Sequence, residues 1–221
     1  ADVGFQTTNK QRDTQALANA SPKRFAVDLV YVNADQTPAT MAYLKSKRLE
    51  GEYKIGFWHW EQPRFPDAHL GAFAHLDEIW VPSNFVRDAV AAVTPLPVFV
   101  VPHALQFELT PGITRSAFGL PEDKLLALVM YDFHSYQYRK NPQAAIEAFR
   151  QATLGRGDCA LVVKTINGDQ HPEARDELRA SLADLPATVM IDEFLTRQQT
   201  WDLQSCCDML VSLHRAEGFG L

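Results

Sequence analysis

The sequence predicts an α/β protein with two Rossmann-like parallel sheets, one in each half of the chain. Three observations lead there. Eight apolar runs of four to seven residues recur along the chain. These runs are near-continuous rather than alternating, as in strands buried on both faces of a parallel sheet. Amphipathic stretches with helix-start signals separate several of them, in the order of parallel crossover units.

The first run is AVDLVYV at 26–32, followed by a polar turn at 33–40. YKIGFW at 53–58 and EIWV at 78–81 come next. A Val-Pro-Ser corner then opens a helix over 83–90, and PVFVV at 97–101 follows it. The pattern pauses at 104–124, where Pro111-Gly112 and Gly119-Leu120-Pro121 interrupt any periodicity. A domain boundary near residue 108 is expected there, giving domains of 1–107 and 108–221. The second half begins with LLALVMY at 125–131. Asn141 is placed to cap a helix with Pro142 in its first turn. Ala145, Ile146 and Phe149 lie on one face of that helix. ALVVK at 160–164, ATVMI at 187–191 and DMLVSL at 208–213 complete the strands, with helices over 172–182 and 196–206 between them.

Composition narrows the function classes. Hydrophobic residues make up 46% and charged residues 22%, which is globular rather than disordered. Lys and Arg number 21 against 27 Asp and Glu, so no overall basic footprint for nucleic acid exists. No apolar run approaches the roughly 20 residues of a membrane span. Residues 1–13 lack the apolar core of a secretory signal. Cys159, Cys206 and Cys207 are odd in number, with two adjacent, and read as thiols in a reducing cytoplasm rather than a disulfide framework. No C-x-x-C spacing suggests zinc. The G-x-G-x-x-G, P-loop and G-x-S-x-G fingerprints are all absent. So is Asp-x-Asp, the usual metal clamp of nucleotide-sugar sites.

Polar residues collect at the carboxyl ends of the runs, where doubly wound sheets bind ligands. Asn33, Asp35 and Gln36 follow the first run, and His59, Trp60 and Glu61 the second. Ser83 and Asn84 follow the third, and His103 the fourth. Asp132, His134 and Ser135, then Lys164, Thr165 and Asn167, then His214, Arg215 and Glu217 do so in the second half. His59 has two readings: a half-buried ring among tryptophans, or a hydrogen-bonding and acid/base group at a sugar. Core packing is the expected role of Trp58. Arg139 and Lys140 stand just before a helix start, where cations oppose the helix dipole; a bound phosphate would explain both. Lys164 closes a strand and either snorkels or contacts an anion. Glu217-Gly218-Phe219-Gly220 follows the last run, and its glycines let backbone amides approach a ligand.

Taken together, these motifs resemble the family 4 glycosyltransferases, which are retaining, metal-independent and of the GT-B fold. The resemblance rests on Gly56 to Glu61, on Glu78 to Ser83, on Tyr131-Asp132-Phe133 with Arg139 to Pro142, on Leu161 to Asp169 and on Ser212 to Leu221. It implies that Lys140 contacts the donor diphosphate and that Glu217 meets the donor sugar. Gly218, Phe219 and Gly220 form the amide turn beside it, and His59 lies at the acceptor side. Ser135 stands where an arginine is expected, with Arg139 as its substitute. Phe194 and Leu195 fall where the family's loop meets the base, and Lys164 is a further donor contact. The first domain would take a saccharide acceptor and the second a nucleotide sugar, with GDP-mannose the first expectation and no other cofactor. Resemblance to mannosyl- and rhamnosyltransferases of polysaccharide or lipopolysaccharide assembly implies a cytoplasmic protein, peripheral at the inner membrane. It also implies about twice this length, with both domains incomplete here. A sugar phosphorylase is the enzyme alternative, though no pyridoxal-lysine context is present. A saccharide- or nucleotide-binding module, or an inactive subunit of the same fold, is the other.

Overall fold

The computed structural model describes residues 25–185 and 187–220. The reading of residues 1–13 and the final Leu221 of the last motif lie outside them. Contacts divide the chain into two units: one runs to His103 and includes Glu217 onward, and the other is Ala104–Ala216. The sequence-expected boundary was near residue 108, with the whole tail in the second domain.

In the first unit, β1 (Val27–Val30), β2 (Tyr53–Phe57), β3 (Glu78–Val81) and β4 (Val98–Val100) form one parallel sheet in sequential order. Helix α1 (Thr37–Ser46) joins the first two strands. The polar turn expected over 33–40 therefore ends at Gln36. Pro38 sits in the helix's first turn, where a missing N–H is harmless. The Thr37 and Thr40 hydroxyls donate back to the carbonyls of Asn33 and Gln36. A 3₁₀ segment, Asp67–His75, links β2 to β3, and α2 (Asn84–Ala91) links β3 to β4. Ser83 caps α2, its Oγ accepting from Val86 N.

One face of this sheet carries the core. Trp58, Ile79 and Val81 pack there with Val86 and Val90 of α2, and Val30 packs with Met41 and Leu44 of α1. On the opposite face Val27, Leu29, Tyr31, Tyr53 and Phe99 are exposed. The expectation of strands buried on both faces thus holds only in part for this sheet: on that face Ile55 and Phe57 of β2 are buried, while the named residues of β1 and β4 and the start of β2 are open.

In the second unit, β5 (Leu125–Asp132), β6 (Cys159–Ile166), β7 (Thr188–Asp192) and β8 (Met209–Leu210) are parallel in the order β7-β6-β5-β8. Here both faces are covered. Ala127, Val129, Leu161 and Val163 pack with Ile146 and Phe149 of α4 (Pro142–Ala152) and with Leu178 and Leu182 of α5 (Pro172–Leu182). On the other side Leu126, Leu128, Ala160 and Val162 meet Leu203 and Cys206 of α6 (Arg197–Cys206). A reciprocal capping box between Thr196 and Gln199 opens α6. Arg115 ties the unit's base together: its guanidinium donates to the carbonyls of Cys206 and Lys124 and to Asp208 Oδ2, which also accepts from Leu126 N. The run expected at 208–213 forms only two ladder residues, and the chain then leaves the sheet. Cys159, Cys206 and Cys207 are free thiols, the first two buried and Cys207 half-buried. No helix among the described residues is long and apolar enough to cross a membrane.

Candidate functional site

The second sheet reverses strand order once. From β5 the chain steps outward to β6 and β7, then returns to lay β8 on the other side of β5. Such a switch point opens a crevice beyond the strand ends, between the loops after β5 and β8. Those two loops are bonded to each other. Arg215 N donates to Arg139 O at 2.8 Å, and Arg139 Nη1 donates to Ala216 O at 3.2 Å. Asn141 Nδ2 donates to Leu213 O at 2.9 Å, and the Arg215 guanidinium lies 4.1 Å from the Tyr138 ring centroid.

This arrangement revises the helix-end argument. Arg139 and Lys140 are the last two residues of a one-turn helix, α3 (Gln137–Lys140), where cations are favourable. They do not stand in the first turn of α4. Asn141 closes α3 in the left-handed conformation, φ 50°, which asparagine tolerates. Its side chain makes no cap on α4; it is committed to Leu213. Arg139 is 6% exposed, while Lys140 and Ser135 are half-buried on the same loop.

Lys164 lies on β6 between Met130 and Ile191. It does not snorkel: the residue is 4% exposed, and Nζ donates to Thr165 O at 2.6 Å and Glu193 O at 2.7 Å. Burial lowers its pKa to about 8 against the opposing pull of Asp192, Glu193 and Asp132. Asp192 itself accepts from Thr165 Oγ1 and Gly168 N, and Asp132 accepts from His134 N and Asn167 Nδ2. An unfolded lysine holds its proton to about 10.5. Between about pH 8 and 10.5 the unfolded state therefore binds more protons, and this group's contribution to stability rises with pH. Urea unfolding of the wild type and Lys164→Met at about pH 7.5 and about 9.5 should show the difference moving in favour of the wild type. A difference that stays constant would remove the assignment. Beyond β7, Phe194 is 48% exposed and Leu195 is buried in the α6-side core.

The remaining sequence candidates lie in the first unit. His59 follows β2, and its N–H donates to Asn33 Oδ1 at 2.9 Å. Its Nε2 lies 2.7 Å from His103 Nε2. Burial, and then the charge of His103, lowers the His59 pKa. Gly218 is buried: its carbonyl accepts from Ser83 Oγ, and a side chain there would strike the Trp60 carbonyl. Phe219 packs edge-on against the His103 ring, centroids 4.9 Å apart. Glu217 is half-buried, and Gly220 has φ 81°. The structure therefore gathers Glu217, Gly218, Phe219 and Gly220 with His59, and separately gathers Ser135, Arg139 and Lys140 around the switch point. Lys164, Phe194 and Leu195 stand along the neighbouring strand ends of that second sheet.

No family model matches the chain, and no curated protein matches it. Solved structures do. HepE of Anabaena, in complex with UDP-glucose, is similar at 15% identity and TM-score 0.65, over 87% of this chain and 55% of that one. A UDP-forming α,α-trehalose-phosphate synthase of Burkholderia vietnamiensis aligns at 13% identity and TM-score 0.62, over 94% of this chain and 55% of its own. A glycosyltransferase of Rickettsia africae aligns at 16% and 0.63, over 85% and 51%. The fold is GT-B. The chain spans about half the length of these GT-B neighbours.

Sequence reasoning placed Asn33 and His103 at strand ends without giving either a role, and read Tyr31 only as part of the first run. His103, Asn33 and Tyr31 all stand just beyond strand ends, and Tyr31 Oη lies 3.4 Å from His103 Nδ1. The available signal was their common position at carboxyl ends of one parallel sheet. Nothing in their local sequence separated them from ordinary loop residues.

Proposed function

We propose that this GT-B chain belongs to a glycosyltransferase that moves a sugar from a nucleoside diphosphate to a saccharide hydroxyl. The observation that carries the reading is the switch point between β5 and β8, with Arg139 and Lys140 on one flanking loop and that loop bonded to the other. In the reaction the bond from the anomeric carbon to the diphosphate oxygen breaks. A new bond forms from the acceptor oxygen to that carbon, and the hydroxyl proton is released. Charge accumulates on the leaving diphosphate. Lys140 meets that charge, while Arg139 holds the post-β8 loop through Ala216 O. Ser135 and Lys164 border the same strand ends, and Phe194 offers an exposed ring to the base. His59 and Glu217 attend the sugar, with Gly218 to Gly220 as the turn between them.

Retention, membership of family 4 and independence of metal follow the sequence resemblance. So do a growing polysaccharide as acceptor and a cytoplasmic setting. For the donor, the UDP and UDP-glucose named with the structural neighbours favour uridine. GDP-mannose is the competing expectation. Calorimetry on the full-length protein with UDP, GDP, UDP-glucose and GDP-mannose tests this. Binding of UDP with transfer from UDP-glucose is expected. Guanosine preference would restore the sequence expectation. Binding without transfer would favour a binding module, and no binding by any of the four would end the reading.

A further inference from the structure

His59 and His103 leave β2 and β4, which are separated in the sheet by β3, yet their rings meet beyond its end. The rings are nearly parallel, 8° apart in plane, with centroids at 4.9 Å. At 2.7 Å between two Nε2 atoms, one nitrogen donates and the other accepts. Only one hydrogen fits between them. The far nitrogen of His103 faces Tyr31 Oη, a group that donates and accepts, and the His59 backbone is pinned to Asn33. Phe57 packs at 5.4 Å from both imidazoles, and Phe219 closes on His103. The titratable groups on elements packed against the pair are Tyr31 after β1, Glu61 just beyond His59, and Glu217 on the segment that carries Phe219.

We propose that His59 and His103 form a proton-sharing dyad in which His103 is a positioning residue, fixing the ring and tautomer that His59 presents to a sugar. This rests on the reading of His59 as a saccharide-facing group. With no added proton, one ring is the donor and the other the acceptor, and the contact holds. One added proton keeps the contact as an imidazolium–imidazole pair. A second leaves two donors facing each other, and the contact opens. The dyad therefore titrates as a unit, with apparent values that belong to the pair.

Ring-nitrogen NMR of the full chain across pH tests the dyad without any substrate. In the wild type, the two rings should report the same two steps, the lower one well below the ordinary histidine value of about 6.5. In His103→Gln, which keeps one hydrogen bond but does not titrate, His59 should show a single step moved up toward that value. Independent single steps in the wild type, or an unmoved His59 in His103→Gln, would overturn the proposal. Should His103→Gln not fold, His59→Gln provides the mirror measurement on His103. A second readout is the acid limb of sugar transfer, which should shift in His103→Gln; a limb that stays put refutes the positioning role. Loss of the coupled titration sinks the dyad. A coupled titration in a protein with no transferase activity sinks the saccharide reading instead.

Discussion

Lys140→Ala is expected to weaken nucleoside diphosphate binding by about 100-fold or more, with the parent nucleoside affected by no more than about threefold. The asymmetry follows from where Lys140 stands. It ends α3, half-buried, on a loop whose backbone is bonded to the loop after β8 at the strand-order reversal. Two residues later α4 begins, an 11-residue helix whose first N–H groups favour an anion by themselves. A cation beside that helix start strengthens binding only where the ligand carries charge. The uncharged nucleoside has nothing for the ammonium to meet. Lys140→Arg should retain much of the affinity, because the charge stays. Calorimetric titration of the three proteins with nucleoside and nucleoside diphosphate decides it. Equal losses for both ligands would mean that Lys140 shapes the loop rather than holding the diphosphate.

Trp58→Ala is expected to destabilise the first unit by about 3–5 kcal/mol, a large part of the stability of an ordinary domain. Trp58 is 1% exposed and ends the apolar run that forms β2, one of the two interior strands of that sheet. Its ring stacks on Phe65 at 5.7 Å and tilts against Phe73 at 5.1 Å. Its Nε1 donates to Thr37 Oγ1 at 3.0 Å, tying β2 to the start of α1. Removing the ring leaves a cavity that two other aromatic rings cannot both fill. Trp58→Phe keeps most of the packing, and Thr37 still has Asn33 O as an acceptor, so a loss of about 1–2 kcal/mol is expected. The damage should also reach His59, whose N–H is held by that same Asn33. Urea unfolding followed by circular dichroism measures both variants. A Trp58→Ala loss below about 1 kcal/mol would contradict the packing account.

The eight strands were readable from their continuous apolar runs, which in the second sheet reflect burial on both faces, and every run expected from the sequence forms a strand. Helices α4, α5 and α6 were readable from their proline or threonine starts and their periodic apolar faces. Helix α1 escaped because Thr37, Thr40 and Pro38 look like turn chemistry until the threonine hydroxyls find the carbonyls one turn back. Arg139 and Lys140 were conspicuous, but for an incomplete reason. The short α3 that gives them a favourable helix end is fixed by bonds to Leu213, Ala216 and Arg215, more than 70 residues away.

Local pattern thus determined the α/β class, the two parallel sheets and the gathering of polar groups at strand ends, since each depends only on a few neighbouring side chains being apolar or polar. Three-dimensional packing decided that β8 returns beside β5, which puts the strand-order reversal there, and that Gly218 lies under Trp60 and Ser83. It also decided that two histidines 44 positions apart compete for one hydrogen. Those outcomes depend on which strands become neighbours, and a linear sequence of apolar runs contains no term for adjacency between distant segments.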